Sequence, residues 1–145
     1  MSKEVYQVKL YVDGSALGNP GPGGYAAILQ CNGQEKVVSG GTSETTTNNR
    51  MELQAVIAGL RALKTQAVVV TIYTDSQYVA GQLNGNRTRA NQALVTEMRE
   101  LVNALSHFQV IKVAAHAGDV VNERCDQLAR EAAEQAANQA KVTAA

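Results

Sequence analysis

The sequence predicts an α/β fold on one mixed five-stranded sheet, with three antiparallel strands first and the later strands parallel. Three observations carry that prediction. The chain up to about residue 42 reads with a period of two and is broken by glycine-rich turns. From about residue 49 the apolar spacing becomes helical. Two further β-branched runs lie between helical stretches, and connections of that length are what parallel pairing requires.

The elements follow in order. Residues 5–12 place Val8, Leu10 and Val12 on one face, the pattern of a half-buried strand. "GSALGNPGPGG" is a glycine–proline turn, after which "GYAAILQC" resumes as a strand. Gly33 marks the next turn, and residues 36–42 form a third strand at the sheet's edge. From Asn49, apolar residues fall at Leu53, Val56, Ile57, Leu60 and Leu63, one face of a helix. Residues 67–73 are almost continuously β-branched, as suits a central strand covered on both sides. A short helix follows Ser76, and "NGNRTRANQ" is a polar connection to an amphipathic helix over residues 93–105. Residues 109–115 are the last strand, and an alanine-rich helix from about residue 122 closes the chain. The order is βββαβαβα, in a single domain spanning residues 1–145.

Composition narrows the function. With 45% hydrophobic and 18% charged residues in 145, the chain is an ordinary globular protein with one core. Thirteen basic and thirteen acidic side chains cancel, so a nucleic-acid partner must be held by a local basic patch. Lys3, Glu4, Lys9 and Asp13 leave no room for an apolar leader core, and no apolar run reaches membrane-spanning length. Cys31 and Cys125 form no CxxC and have no histidine at metal spacing. They read as the reduced thiols of a cytoplasmic, monomeric protein with no membrane partner.

The chemistry is carried by acids. "KLYVDGS" and "TIYTDSQ" each end an apolar run on an aspartate, Asp13 and Asp75. Taken singly, Asp13 reads as a turn residue before Gly14, and Asp75 as a helix cap. Glu52 reads as the third residue of a capping box opened by Asn49, although it leans toward the apolar stripe. Asp126 suits the dipole at the start of the last helix, and the small residues Ala129 and Ala133 let that face approach the sheet. Together they read differently. Two strand ends can lie side by side at the edge where α/β sheets bind ligands, with Glu52 and Asp126 beside them. Four converging carboxylates repel unless a cation compensates them, and hard oxygen ligands in that number suit two Mg²⁺ ions, with Mn²⁺ a substitute. His116 closes the last strand beside Gly118, and its ordinary pKa suits proton transfer. His107 reads as a solvated surface group. A GxGxxA match at residues 21–26 fails as a dinucleotide site, because "YAAILQC" continues as a strand where a helix is required.

Four segments, "DGSALGNPGPGGYAAIL", "TTNNRMEL", "YTDSQYV" and "HAGDVVNERCDQLAREAA", make the chain resemble bacterial and archaeal ribonuclease H of type 1 over nearly its whole length. The resemblance implies the ribonuclease H-like fold and two-metal hydrolysis of the RNA strand in RNA–DNA hybrids. Carried over by motif, Asp13, Glu52, Asp75 and Asp126 are the metal-binding carboxylates, Asp13 bridges the two ions, and His116 is the mobile catalytic histidine. Asn19, Thr47, Asn48, Asn49 and Gln77 fall at positions that touch the hybrid in the family. Three departures are visible. The basic helix and loop that many bacterial members insert after the Asp75 helix is reduced to "NGNRTRANQ", with Arg87 and Arg89. Ala114 and Ala115 stand where a lysine and glycine often precede the histidine, and no N-terminal hybrid-binding module is expected. A non-catalytic nucleic-acid-binding domain, or a polynucleotidyl transferase on the same sheet, is the alternative. Retention of all four acids and His116 speaks against the first, and the complete "TTNNRMEL" signature against the second.

Overall fold

The computed structural model describes residues 5–114 and 119–144. The strands are β1 (Tyr6–Ala16), β2 (Gly21–Cys31), β3 (Gln34–Thr46), β4 (Val68–Thr74) and β5 (His107–Lys112). The helices are α1 (Asn48–Arg61), α2 (Gln77–Leu83), α3 (Gln92–Asn103) and α4 (Val120–Ala144). The sheet order is β3-β2-β1-β4-β5. β1, β2 and β3 pair antiparallel, while β4 pairs parallel to both β1 and β5. The five-stranded mixed sheet expected from the sequence is therefore present.

Alternation along β1 divides the core into two layers. Val8, Leu10 and Val12 join Ala27, Leu29, Val70 and Ile72 under α1, α2 and α3, contacting Leu53, Val56, Ile57, Val79, Val95 and Met98. Tyr11, Ala26 and Ile28 point the other way and meet Cys125 and Ala129 of α4. Burial of these side chains drives the assembly, at about 25 cal/mol for each Å² of apolar surface removed from water. Among the described residues no helix is long and apolar enough to cross a membrane.

Several boundaries differ from the sequence expectation. The short helix after Ser76 and the amphipathic helix beyond the polar segment are both present, as α2 and α3, so the full element order is βββαβααβα. β3 runs to Thr46, well past residue 42: beyond the Gly23–Thr42 pair the register shifts at a bulge, and pairing resumes at Gly21 opposite Thr46. β5 begins at His107, which pairs with Val69, and its last residue is Lys112. α4 starts at Val120, where the Asp119 carboxylate accepts from the Val121 and Asn122 N–H groups, both at 3.0 Å.

Candidate active site

Asp13 is not a turn residue. β1 continues to Ala16, and Asp13, Gly14, Ser15 and Ala16 pair with Ala26, Tyr25, Gly24 and Gly23 of β2. The parallel ladder with β4 stops earlier, at Tyr11 opposite Tyr73. Those two rings stack with centroids 4.6 Å apart, clamping the strands just before they separate. Beyond them β4 ends at Thr74, and Ser76 caps α2 by accepting from the Val79 N–H at 3.1 Å. Asp13 and Asp75 therefore flank a cleft between diverging strands, the place where α/β sheets bind ligands.

Glu52 reaches this cleft through a glycine. The cap of α1 is Thr47, whose hydroxyl accepts from the Arg50 N–H at 3.2 Å. Asn49 is therefore inside the helix, and the expected capping box does not form. Glu52 lies beyond the first turn and is 8% exposed. A Cβ on Gly14 would sit 2.3 Å from both the Glu52 nitrogen and the Met51 carbonyl carbon. Only glycine lets helix backbone lie on strand backbone here, and that approach carries Glu52 to Asp13. Gly24 does the same for α4, since its Cβ would fall 2.3 Å from the Ala133 nitrogen and 2.4 Å from the Ala129 oxygen. Asp126, one turn before Ala129, thereby comes within hydrogen-bonding reach of Asp13, and Arg130 pairs with it at 3.0 Å.

Asp13, Glu52 and Asp75 each offer an oxygen, and these atoms all lie within 4.8 Å of one another. Burial, the nearby Asp126 carboxyl and the charges of Asp75 and Asp126 push the Asp13 pKa up to about 8, against the partial relief of a 2.9 Å bond from the Gly14 N–H. Burial, then the charges of Asp13 and Asp75, push Glu52 well above the usual carboxylate range. The buried Cys125 thiol beneath them is also pushed up, first by burial and then by the charges of all four acids. Glu52 Oε2 is buried and has no hydrogen-bond partner among the described residues. An orphaned buried carboxylate oxygen facing two other acids fits a hard divalent cation, which would satisfy the oxygen and cancel the repulsion together.

The predicted substrate residues gather at the same end of the sheet. The Ala16 N–H donates to Asn48 Oδ1 at 2.7 Å, and the Asn48 N–H donates to Asn19 Oδ1 at 3.0 Å. This exchange ties the β1–β2 turn to the start of α1 at its cap, Thr47. Asn19, Asn48, Asn49 and Gln77 are exposed, and Gln77 opens α2 two residues after Asp75. His116 lies outside the described residues. Sequence reasoning missed Gly14, Gly24 and the Asn19–Asn48 clamp. The available signal was the glycine directly after Asp13, which also reads as a turn.

Fold and cleft together define an α/β domain with a cluster of three carboxylates, suited to holding a metal ion, at the edge of its sheet. The RNase H family profile matches residues 6–134, and the chain belongs to the RNase H family. Ribonuclease H of Erwinia tasmaniensis is 46% identical over 140 aligned positions, spanning 88% of this chain and 89% of that protein. Ribonuclease H of Salmonella arizonae matches with the same figures. Among solved structures, the N-terminal RNase H domain of a Mycobacterium tuberculosis protein superposes with a TM-score of 0.77 at 26% identity, covering 93% of this chain and 99% of that one. The RNase H1 of the archaeon Halobacterium salinarum gives 0.70 at 31% identity, covering 89% and 98%.

Proposed function

We propose that this protein hydrolyses the RNA strand of RNA–DNA hybrids, with two Mg²⁺ ions held by Asp13, Glu52, Asp75 and Asp126. The observation that carries the reading is the set of three converging carboxylate oxygens, with one buried oxygen unpartnered among the described residues, in a chain of the RNase H family. Bound there, the ions would supply an activated water and charge stabilisation at the departing 3′ oxygen. The protein's own groups do the rest. Asp13, placed between Glu52, Asp75 and Asp126, suits the bridging position. Gly14 and Gly24 hold α1 and α4 against the sheet, so the acids keep their spacing without metal. His116 moves a proton at the scissile phosphate through its imidazole nitrogen.

The clamp also limits what the asparagines can say to a substrate. Asn19 and Asn48 each use the side-chain oxygen internally, which leaves the amide NH₂ donors for the hybrid. Minor-groove purine N3, pyrimidine O2 and the 2′-hydroxyl all accept, so the reading is of shape and sugar rather than of sequence. Thr47 fixes the helix start, while Asn49 and Gln77 extend the same surface.

The test is direct. Labelled RNA–DNA hybrid, single strands, double-stranded RNA and double-stranded DNA are incubated with the protein, with and without Mg²⁺. Cleavage confined to the RNA of the hybrid, and dependent on Mg²⁺, is expected. Hybrid bound but uncut in Mg²⁺ would establish a non-catalytic binding domain, and strand-joined products would establish a transferase.

A further inference from the structure

We infer that Thr74 is a positioning residue of the site: its buried hydroxyl fixes the backbone of Asp75 and so aims that carboxylate at Asp13 and Glu52. The inference rests on the metal-dependent reading above and adds how one of the acids is held. Asp13 lies inside a ladder with β2, and Glu52 lies inside α1. Asp75 has neither support. β4 ends at Thr74, its ladder with β1 ends one residue earlier at Tyr73, and α2 begins only at Gln77.

Two hydrogen bonds through Thr74 replace it. A residue has only two soft backbone dihedrals, which turn the peptide planes on either side of its Cα. The plane before Asp75 carries the Thr74 carbonyl, which accepts from the Val113 N–H at 2.8 Å. The plane after Asp75 carries the Ser76 N–H, which donates to Thr74 Oγ1 at 3.0 Å. With both planes held, the direction in which the Asp75 side chain leaves the backbone is set. The Ser76 hydroxyl then accepts from the Val79 N–H and the Ser76 carbonyl from the Ala80 N–H, both at 3.1 Å, so α2 starts directly from the pinned turn.

The hydroxyl sits where packing alone calls for an apolar group. Alternation along β4 puts Val68, Val70, Ile72 and Thr74 on one buried face, and Thr74 is 0% exposed. Valine has the same shape and would take no hydroxyl out of water, a cost that only a hydrogen bond offsets. A strand that departs from its own apolar pattern beside a metal ligand marks a functional constraint. The tolerance there is small. Oxygens of Asp13, Glu52 and Asp75 lie within 4.8 Å of one another, so turning Asp75 enough to move its carboxylate by about 1 Å spoils a shared coordination shell. Groups that orient metal ligands typically contribute about 10–100-fold in metal affinity.

The experiment compares Thr74→Val, which keeps the shape and removes the hydroxyl, with Thr74→Ser, which keeps the hydroxyl and removes a methyl. Mg²⁺ affinity is measured by calorimetry on the protein without substrate, and Tm by circular dichroism. Thr74→Val should bind Mg²⁺ about 10–100-fold more weakly. Thr74→Ser should melt about 3–6 °C lower for the lost methyl, yet bind Mg²⁺ within about threefold of wild type. In EDTA the Ser76 amide of Thr74→Val should exchange with deuterium roughly tenfold faster, with the Val70 and Ile72 amides unchanged. At fixed Mg²⁺ the loss in turnover should fall on kcat, with KM for hybrid within about threefold. If Thr74→Val does not fold, Thr74→Ala takes its place against the same serine reference. Wild-type Mg²⁺ affinity or an unchanged Ser76 exchange rate in the folded variant overturns the inference, as does affinity that follows Tm across the variants. A wild type that binds no Mg²⁺ overturns it together with the metal reading. Failure of the hydrolase reading alone shows separately, as wild-type protein that binds Mg²⁺ and leaves hybrid uncut.

Discussion

Replacing Asp13 by Asn should abolish hydrolysis and, without metal, stabilise the fold. The Asp13 carboxyl moves from an ordinary 3.8 to about 8 through burial and its acidic neighbours. The folded state therefore holds a proton that the unfolded chain has released over most of that interval. Stability from this group is complete below the unfolded value and is lost as pH rises through the folded one. At about 1.4 kcal/mol per pH unit, the loss has a ceiling of about 6 kcal/mol. Glu52, Asp75 and Asp126 share the repulsion, so about half of that, roughly 3 kcal/mol, is a fair expectation for relief by one substitution. For a domain of this size it corresponds to a rise in Tm of about 5–10 °C. The assay is thermal unfolding by circular dichroism in EDTA from pH 4 to 9, repeated with Mg²⁺. Wild-type Tm should fall between pH 4 and 8, and Asp13→Asn should cross above it in the upper half of that range. Mg²⁺ should recover about 2.7 kcal/mol for the wild type at a hundredfold excess over Kd, and little for the variant. A wild-type Tm indifferent to pH, or a variant melting below wild type at pH 8 in EDTA, would refute the repulsion argument.

Other substitutions separate architecture from chemistry. Gly14→Ala drives a methyl into the backbone of Met51 and Glu52 and should cost roughly 3 kcal/mol, with weaker Mg²⁺ binding by calorimetry; a wild-type Tm would mean α1 can shift freely. His116→Ala should slow turnover by about 10²–10⁴-fold while calorimetric Mg²⁺ affinity stays within a factor of two or three; collapse of metal binding would make the side chain a ligand. Asn48→Asp keeps the oxygen that accepts from Ala16 but loses the donor. It should therefore hold its Tm and raise KM for hybrid at least tenfold, whereas Asn48→Ala should lose both; equal Tm losses would mean the clamp needs the intact amide.

The sequence by itself determined the sheet and the identity of the acids. Period-two runs, β-branched runs and helical spacing depend on neighbours along the chain, so the five strands and their pairing sense were readable before any contact was known. Motifs at fixed spacing likewise singled out Asp13, Glu52, Asp75 and Asp126. The tertiary structure decided how they meet, because each meeting depends on residues far apart in sequence. "DG" at Asp13 carries the signal of a turn, yet β2 extends the ladder past it to Ala16, and the glycine serves helix contact instead. Asn49 and Glu52 have capping-box spacing, but Thr47 takes the cap because Asn48 is held by Ala16 and Asn19 across the turn. Arg99, an ordinary basic residue in an amphipathic helix, donates to Gln82 and Asn86 only because α2 ends against it. Local pattern sets the elements; close backbone approach, which glycine permits and sequence does not label, sets the site.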